Sequence, residues 1–262
     1  ENLLEDKNNN QATLQENRRF RRANLPRPYP DPEQYDTNLA LALSSDPRRK
    51  TNYDLFLESG KTLLVEHLPV KMDVENVSRC NFRCTMCQVS DWGPNYQRAQ
   101  DMSFDDFKAL VDEQYGLIEL KLQGMGEPLL ARDEFFKMIR YARSKNIWVR
   151  TTTNASLLHF KDNYKHLIDS GINEVQISFD GATKETFEKI RVGSNFDLVV
   201  KNCKLVNDYC DEQDLLRTRM WVVVQQGNVA QMLDFVQLAS DMGFKRLTFS
   251  LELTDWGQSR WS

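Results

Sequence analysis

The sequence is short of several things, and each shortage narrows the field. No stretch approaches the roughly 18 apolar residues that a membrane-spanning helix needs, so no membrane partner is expected. No charged segment followed by an apolar one opens the chain, so nothing marks secretion and a cytoplasmic location is expected. There is no basic excess: 34 Lys and Arg against 38 Asp and Glu leave a net charge of −4, which counts against a nucleic-acid partner. Cysteine is scarce and odd in number, with five residues, three of them within eight positions. That crowding suits metal binding in a reducing compartment better than a disulfide framework. Proline is nearly absent beyond residue 70, because six of the eight lie before it.

That skew divides the chain. Residues 1–62 read as an N-terminal arm, partly extended and partly ordered. The alternation of proline through residues 25–32 suits polyproline II and cannot join a parallel sheet. Arg-rich and Pro-rich, with Phe20, Tyr29 and Tyr35 as anchors, the arm is expected to dock a leader peptide or a small accessory protein. The alternative is a wrap around the protein's own core.

From residue 63 onward, strand-like and helix-like segments alternate. Strands are predicted over 71–77, 118–123, 148–152, 174–179, 217–224 and 246–250. Helices are predicted from Ser103, over 132–146, 157–170, 195–212 and 229–242, with Gly171 and Gly243 at two helix ends. Six strands alternating with helices imply parallel crossovers, hence an α/β fold. In such folds ligands gather where strands end at their carboxyl side.

Directly after the first strand stands Cys80-Asn81-Phe82-Arg83-Cys84-Thr85-Met86-Cys87, a C-x3-C-x2-C spacing. Thiolates suit iron–sulfur clusters and zinc. A structural zinc site wants four ligands, and no fourth is near: His67 is upstream, His159 far downstream, and the next cysteine is Cys203. An electron-transfer cluster wants four cysteines as well. Three thiols in one loop can instead hold three corners of a cube. Cys203 and Cys210 are seven apart on a predicted helix and read as buried core residues.

This spacing after a first strand resembles the signature of the radical S-adenosylmethionine (SAM) superfamily. The resemblance implies a partial (β/α)6 barrel over residues 63–262, a [4Fe–4S] cluster on Cys80, Cys84 and Cys87, and SAM at the open iron. It implies reductive cleavage of SAM to a 5′-deoxyadenosyl radical, fed by an external electron donor. Met86 stands where the family usually has an aromatic residue, whose backbone lies near the adenine. Gly124-Met125-Gly126-Glu127-Pro128 resembles the loop that contacts the SAM amino group. Asn154, after Thr151-Thr152-Thr153, resembles an element beneath the cofactor, with helix capping as the alternative. In Ser178-Phe179-Asp180-Gly181, Ser178 and Asp180 are implied to reach the methionine carboxylate and the ribose hydroxyls. Arg191 matches an arginine that pairs with the carboxylate, and Gln225 supplies an amide for the adenine edge. Beyond the cluster and cofactor, no catalytic residue is assigned. Trp92 could line the substrate pocket.

The blocks around 178–193, 222–228 and 255–257 look most like the branch that modifies ribosomally made peptides. A precursor peptide is therefore the expected substrate, with cross-linking or excision ranked above epimerisation. The alternative is a nucleotide, a tRNA or another small molecule; a zinc-stabilised binding module is the remote one. Many maturases of that branch carry a C-terminal domain with auxiliary clusters. This chain shows no cysteines for one, so either its branch lacks the domain or the natural protein is longer.

Overall fold

The computed structural model describes residues 32–59, 64–91 and 98–251. Phe20, Tyr29, Trp92, the block 255–257 and the proline-rich stretch before residue 32 lie outside them.

Six parallel strands form one sheet: β1 (Lys71–Val74), β3 (Glu119–Leu122), β4 (Trp148–Thr153), β5 (Glu174–Ser178), β7 (Thr218–Val224) and β8 (Leu247–Leu251). They are hydrogen-bonded in that order, each to the next in sequence, as a progressive α/β winding requires. A two-residue antiparallel ribbon joins β2 (Arg83–Cys84) to β6 (Arg191–Val192).

The crossover helices are α3 (Phe104–Glu113), α4 (Asp133–Ser144), α5 (Asn163–Asp169), α6 (Lys184–Ile190), α7 (Phe196–Glu212) and α8 (Met232–Asp241). Their starts follow local chemistry. The Ser103 hydroxyl accepts from Asp106 N–H, and Asn195 does the same for Leu198. In α4, Phe135, Met138, Ile139 and Ala142 recur at helical spacing and are fully buried against the sheet. In α7 the same face carries Val199, Cys203, Val206 and Cys210, all buried. Both cysteines are thus core residues, and burial pushes the Cys210 thiol up to about 12.

Three elements differ from the sequence reading. The helix expected over 157–170 shrinks to α5, because Lys161 and Asp162 adopt left-handed backbone (φ 49° and 56°) just before it. Asn202 of α7 holds the chain ahead of them by donating to the Ala155 and Ser156 carbonyls. The short α6 and the β2–β6 ribbon were not anticipated, being too brief for a periodicity to register.

The described part of the arm is helical, and the stretch read as extended lies, apart from Pro32, outside the described residues. Residues 32–59 carry two helices, α1 (Pro32–Ser45) and α2 (Pro47–Glu58). They pack on the N-terminal ends of the strands. Tyr35 lies edge-on to Trp148 at 5.2 Å, Asn38 donates to Asn146 O, and buried Arg49 donates to the Tyr115, Ala42 and Lys145 carbonyls. Asn52 exchanges two hydrogen bonds with Leu68. These bonds replace water at groups that burial would otherwise orphan, so this part of the arm wraps its own sheet.

Candidate active site

The loops that leave the carboxyl ends of β1, β3, β4 and β5 surround a cavity of about 360 Å³. That lies within the roughly 300–1,000 Å³ of small-molecule sites. Cys80, Cys84, Met86, Cys87, Gly124, Met125, Gly126, Glu127, Asn154, Ser178 and Arg191 all line it. Asp180 and Gln225 do not.

The cysteine loop is held from three sides. Phe82 plugs it into the core at 3% exposure. Cys84 pairs with Arg191 in the β2–β6 ribbon, and Thr85 N–H donates to Ile190 O at 2.8 Å. Asn81 donates to the Ser156 hydroxyl and accepts from Asn154 Nδ2, both at 2.9 Å. Asn154 therefore fastens the cysteine loop to the loop after β4, and its Nδ2 stands 4.0 Å from Cys80 Sγ. Its Oδ1 also accepts from Ser156 N–H, a local turn that caps no helix, since the α-helix after β4 begins only at Asn163.

Burial raises the Cys80 thiol and pushes Cys84 up to about 11. Bare thiols there stay protonated at neutral pH, and a bound cation would draw out the thiolates. Among the described residues no three His, Cys, Asp or Glu side chains converge closely enough for a single ion. Three thiols in one loop, each taking its own iron, suit three corners of a cube.

The glycine loop is built for close approach. A Cβ on Gly126 would sit 2.0 Å from Val77 O, so no side chain fits. Glu75, which sequence reasoning passed over, accepts from Met125 N–H at 2.5 Å and Gly126 N–H at 3.4 Å. Glu127 turns inward at 2% exposure and accepts from Thr153 Oγ1, Asn154 N–H and Leu129 N–H. Burial holds its carboxyl above the ordinary range despite those donors.

Asp180 differs from the ribose-binding expectation. It is fully buried behind Arg191, with Oδ2 accepting from Arg191 Nη2 at 2.6 Å and Oδ1 from Val223 N–H at 2.8 Å. Both oxygens are committed, so it serves as the counter-charge that keeps Arg191 in place. Burial works against the Arg191 charge, but Asp180 and Cys84 outweigh it and raise its pKa. Gln225 is placed off the cavity by a tight turn, its N–H donating to Asn228 Oδ1. Two buried groups on the cavity wall lack partners among the described residues: Arg191 Nε, a donor, and Gln123 Oε1, an acceptor. Gln123 was also missed, since one amide after a strand carries no pattern.

Fold and site together define an α/β enzyme whose chemistry sits over three thiols at the strand ends. Residues 77–239 match the Radical SAM superfamily, and the chain belongs to it. Its members use a [4Fe–4S] cluster and SAM, and the donor set described above fits both. The chain is similar to GTP 3′,8-cyclase of Nautilia profundicola, 31% identical over 194 residues, covering 69% of this chain and 57% of that protein. It is 37% identical over 139 residues to GTP 3′,8-cyclase of Aliarcobacter butzleri, covering 49% of this chain and 41% of the relative. The chain thus spans about half the length of these curated relatives. Among solved structures, Streptococcus suis SuiB bound to SAM superposes with a TM-score of 0.61 at 17% identity, covering 74% of this chain and 43% of SuiB. That likeness shows the fold. The structure of anSMEcpe with bound AdoMet gives 0.55 at 26% identity, over 70% of this chain and 52% of that one.

Proposed function

We propose that Cys80, Cys84 and Cys87 each ligate one iron of the cluster and that SAM fills the adjoining cavity. The observation that carries this is the convergence of three thiols, a glycine loop and one buried guanidinium on a single cavity. When bound, the cofactors supply reductive cleavage of SAM to a 5′-deoxyadenosyl radical that abstracts hydrogen from substrate. The chain's own residues position and shield. Gln123 Oε1 and the carbonyls of Gly124–Gly126 accept from the SAM ammonium. Arg191 and Ser178 take its carboxylate, with Asp180 holding the guanidinium in place. Met86 flanks the adenine through its backbone, and Asn154 braces the loop beneath. An external one-electron donor would be needed to reduce the cluster.

The substrate proposed is a nucleotide or a similarly sized small molecule. Curated relatives named GTP 3′,8-cyclase support this better than the peptide substrate that the sequence blocks had put first. The resemblance to SuiB is one of fold and does not restore the peptide reading.

Anaerobic reconstitution tests both levels. The expected result is about four irons per chain, the content of one such cluster, and 5′-deoxyadenosine formed under dithionite. Cys84→Ala should lose both; retained 5′-deoxyadenosine would overturn the cluster assignment. Mass spectrometry against nucleoside triphosphates, nucleotide sugars and short peptides then sorts the substrate class. Turnover of peptide alone would overturn the nucleotide reading while leaving the SAM chemistry intact.

A further inference from the structure

The opposite end of the sheet carries a second cavity, of about 390 Å³. It lies where β4, β5 and β7 begin, away from the cysteines, and α1 forms its outer wall. Two arginines face it: Arg143 from α4 and Arg217, one residue before β7. Gln34, Thr37 and the buried Asn38 of α1, the buried Asn173 and the exposed Glu33 complete the polar lining.

What sets these arginines apart is their company. The other guanidiniums at this end are answered by carboxylates or carbonyls, although Arg150 Nε and Arg219 Nε, like Arg217 Nε, lack a hydrogen-bond partner among the described residues. Arg219 and Arg246 share Glu174 at 2.8 and 3.5 Å, and Arg49 donates to three carbonyls. Arg150 pairs with Glu119 at 2.7 Å. Arg143 instead donates to Asn38 Oδ1 and Ile147 O, both at 2.7 Å, which satisfies N–H groups without cancelling charge. Arg217 Nε is buried and has no partner among the described residues. Among the described residues no carboxylate is ion-paired to either. Burial depresses both guanidiniums, and the Arg217 charge adds to the depression at Arg143. Two like charges sharing a half-buried cleft, with a donor left open, are costly unless something negative joins them.

The geometry points to an oxyanion-binding site between Arg143 and Arg217, built for a phosphate- or carboxylate-bearing small molecule. Guanidinium forks match such groups in shape as well as charge. The amide and hydroxyl groups around them serve the remaining oxygens, and the volume admits more than a bare ion. The site shares no lining residue with the cysteine-lined cavity. The same chemistry could come from a carboxylate of residues 1–31 of this chain, and the test separates the two sources.

Isothermal titration calorimetry with inorganic phosphate, on the full reconstituted chain at fixed ionic strength, reads the site directly. Saturable binding is expected in the parent protein, weakened on the order of tenfold in Arg217→Met through loss of charge-assisted hydrogen bonds. Arg217→Lys, which keeps the charge and the fold, should fall between them. 5′-Deoxyadenosine formation should be unchanged in both variants. Absence of saturable phosphate binding overturns the small-molecule site, as does equal binding in Arg217→Met. Binding that emerges only after residues 1–31 are removed would assign the arginines to an intrachain carboxylate and overturn it as well.

Discussion

Arg191 donates through Nη2 to Asp180 at 2.6 Å while its Nη1 stands 3.9 Å from Cys84 Sγ. One guanidinium thus links a fully buried carboxylate on the β5 side to a sulfur of the cysteine loop. The backbone repeats the link, because Cys84 and Arg191 are register partners in the β2–β6 ribbon. Anything that frees Arg191 therefore disturbs the cysteine loop too.

Asp180→Asn should leave a buried guanidinium without its counter-charge. Breaking such a pair costs about 3–5 kcal/mol. Urea unfolding should show that loss, and SAM affinity should fall in the folded fraction. Unaltered stability together with unaltered SAM binding would contradict the holding role of Asp180.

Gly126→Ala forces a methyl group against the Val77 and Arg79 carbonyls, 2.0 and 2.6 Å from the new Cβ. Backbone cannot swing aside as a long side chain can, so a cost of roughly 1–3 kcal/mol is expected. Arg79 directly precedes Cys80, so the clash presses on both loops, and SAM affinity and iron content should fall together. Full iron content with unaltered SAM binding would contradict the need for a glycine at 126.

Glu127 gives a pH signature. Its carboxyl is held above the ordinary range in the folded state by burial. The folded chain therefore binds that proton more tightly than the unfolded chain does. This contribution to stability is fully present below the ordinary carboxyl range and is lost as pH rises through the raised value. Relative to Glu127→Gln, the parent protein should lose stability as pH climbs out of the acid range. Parallel stability–pH curves from denaturant titrations would contradict the raised pKa.

Truncation separates the two parts of the arm. Removing residues 1–59 strips the Tyr35, Asn38, Arg49 and Asn52 contacts from the strand ends and should give insoluble or molten protein. Removing residues 1–31 leaves those contacts in place and should preserve folding, read by circular dichroism and thermal melting. A well-folded product of the longer truncation would show that the helices add nothing to the sheet.

Much of this was legible before any coordinates. The alternation of strand-like and helix-like segments gave six parallel strands, with bounds shifted by a residue or a few. Glycine at 171 and 243 closes helices with φ of 80° and 84°. Cys80, Cys84, Cys87 and the glycine loop stood in view because their spacing is local and falls directly after strands. Pro32, the last residue of the stretch read as extended, opens helix α1, and Pro47 opens α2, where the missing N–H costs nothing; the rest of that stretch lies outside the described residues.

The sequence by itself determined the fold class, the superfamily and the identity of the loop that carries the thiols, because each rests on short-range pattern. Tertiary structure decided which polar side chains face the cavity and which stand behind it. Ser178 and Asp180 are two residues apart, yet one lines the cavity and the other is sealed under Arg191. That division follows from the β5–β7 pairing, which brings Val223 N–H to Asp180, and from a ribbon two residues long that brings Arg191 over it. Neither contact has a signature in one dimension. Arg143 and Arg217 at the far end belong to the same class, because only packing decides which carboxylates come within reach of a guanidinium.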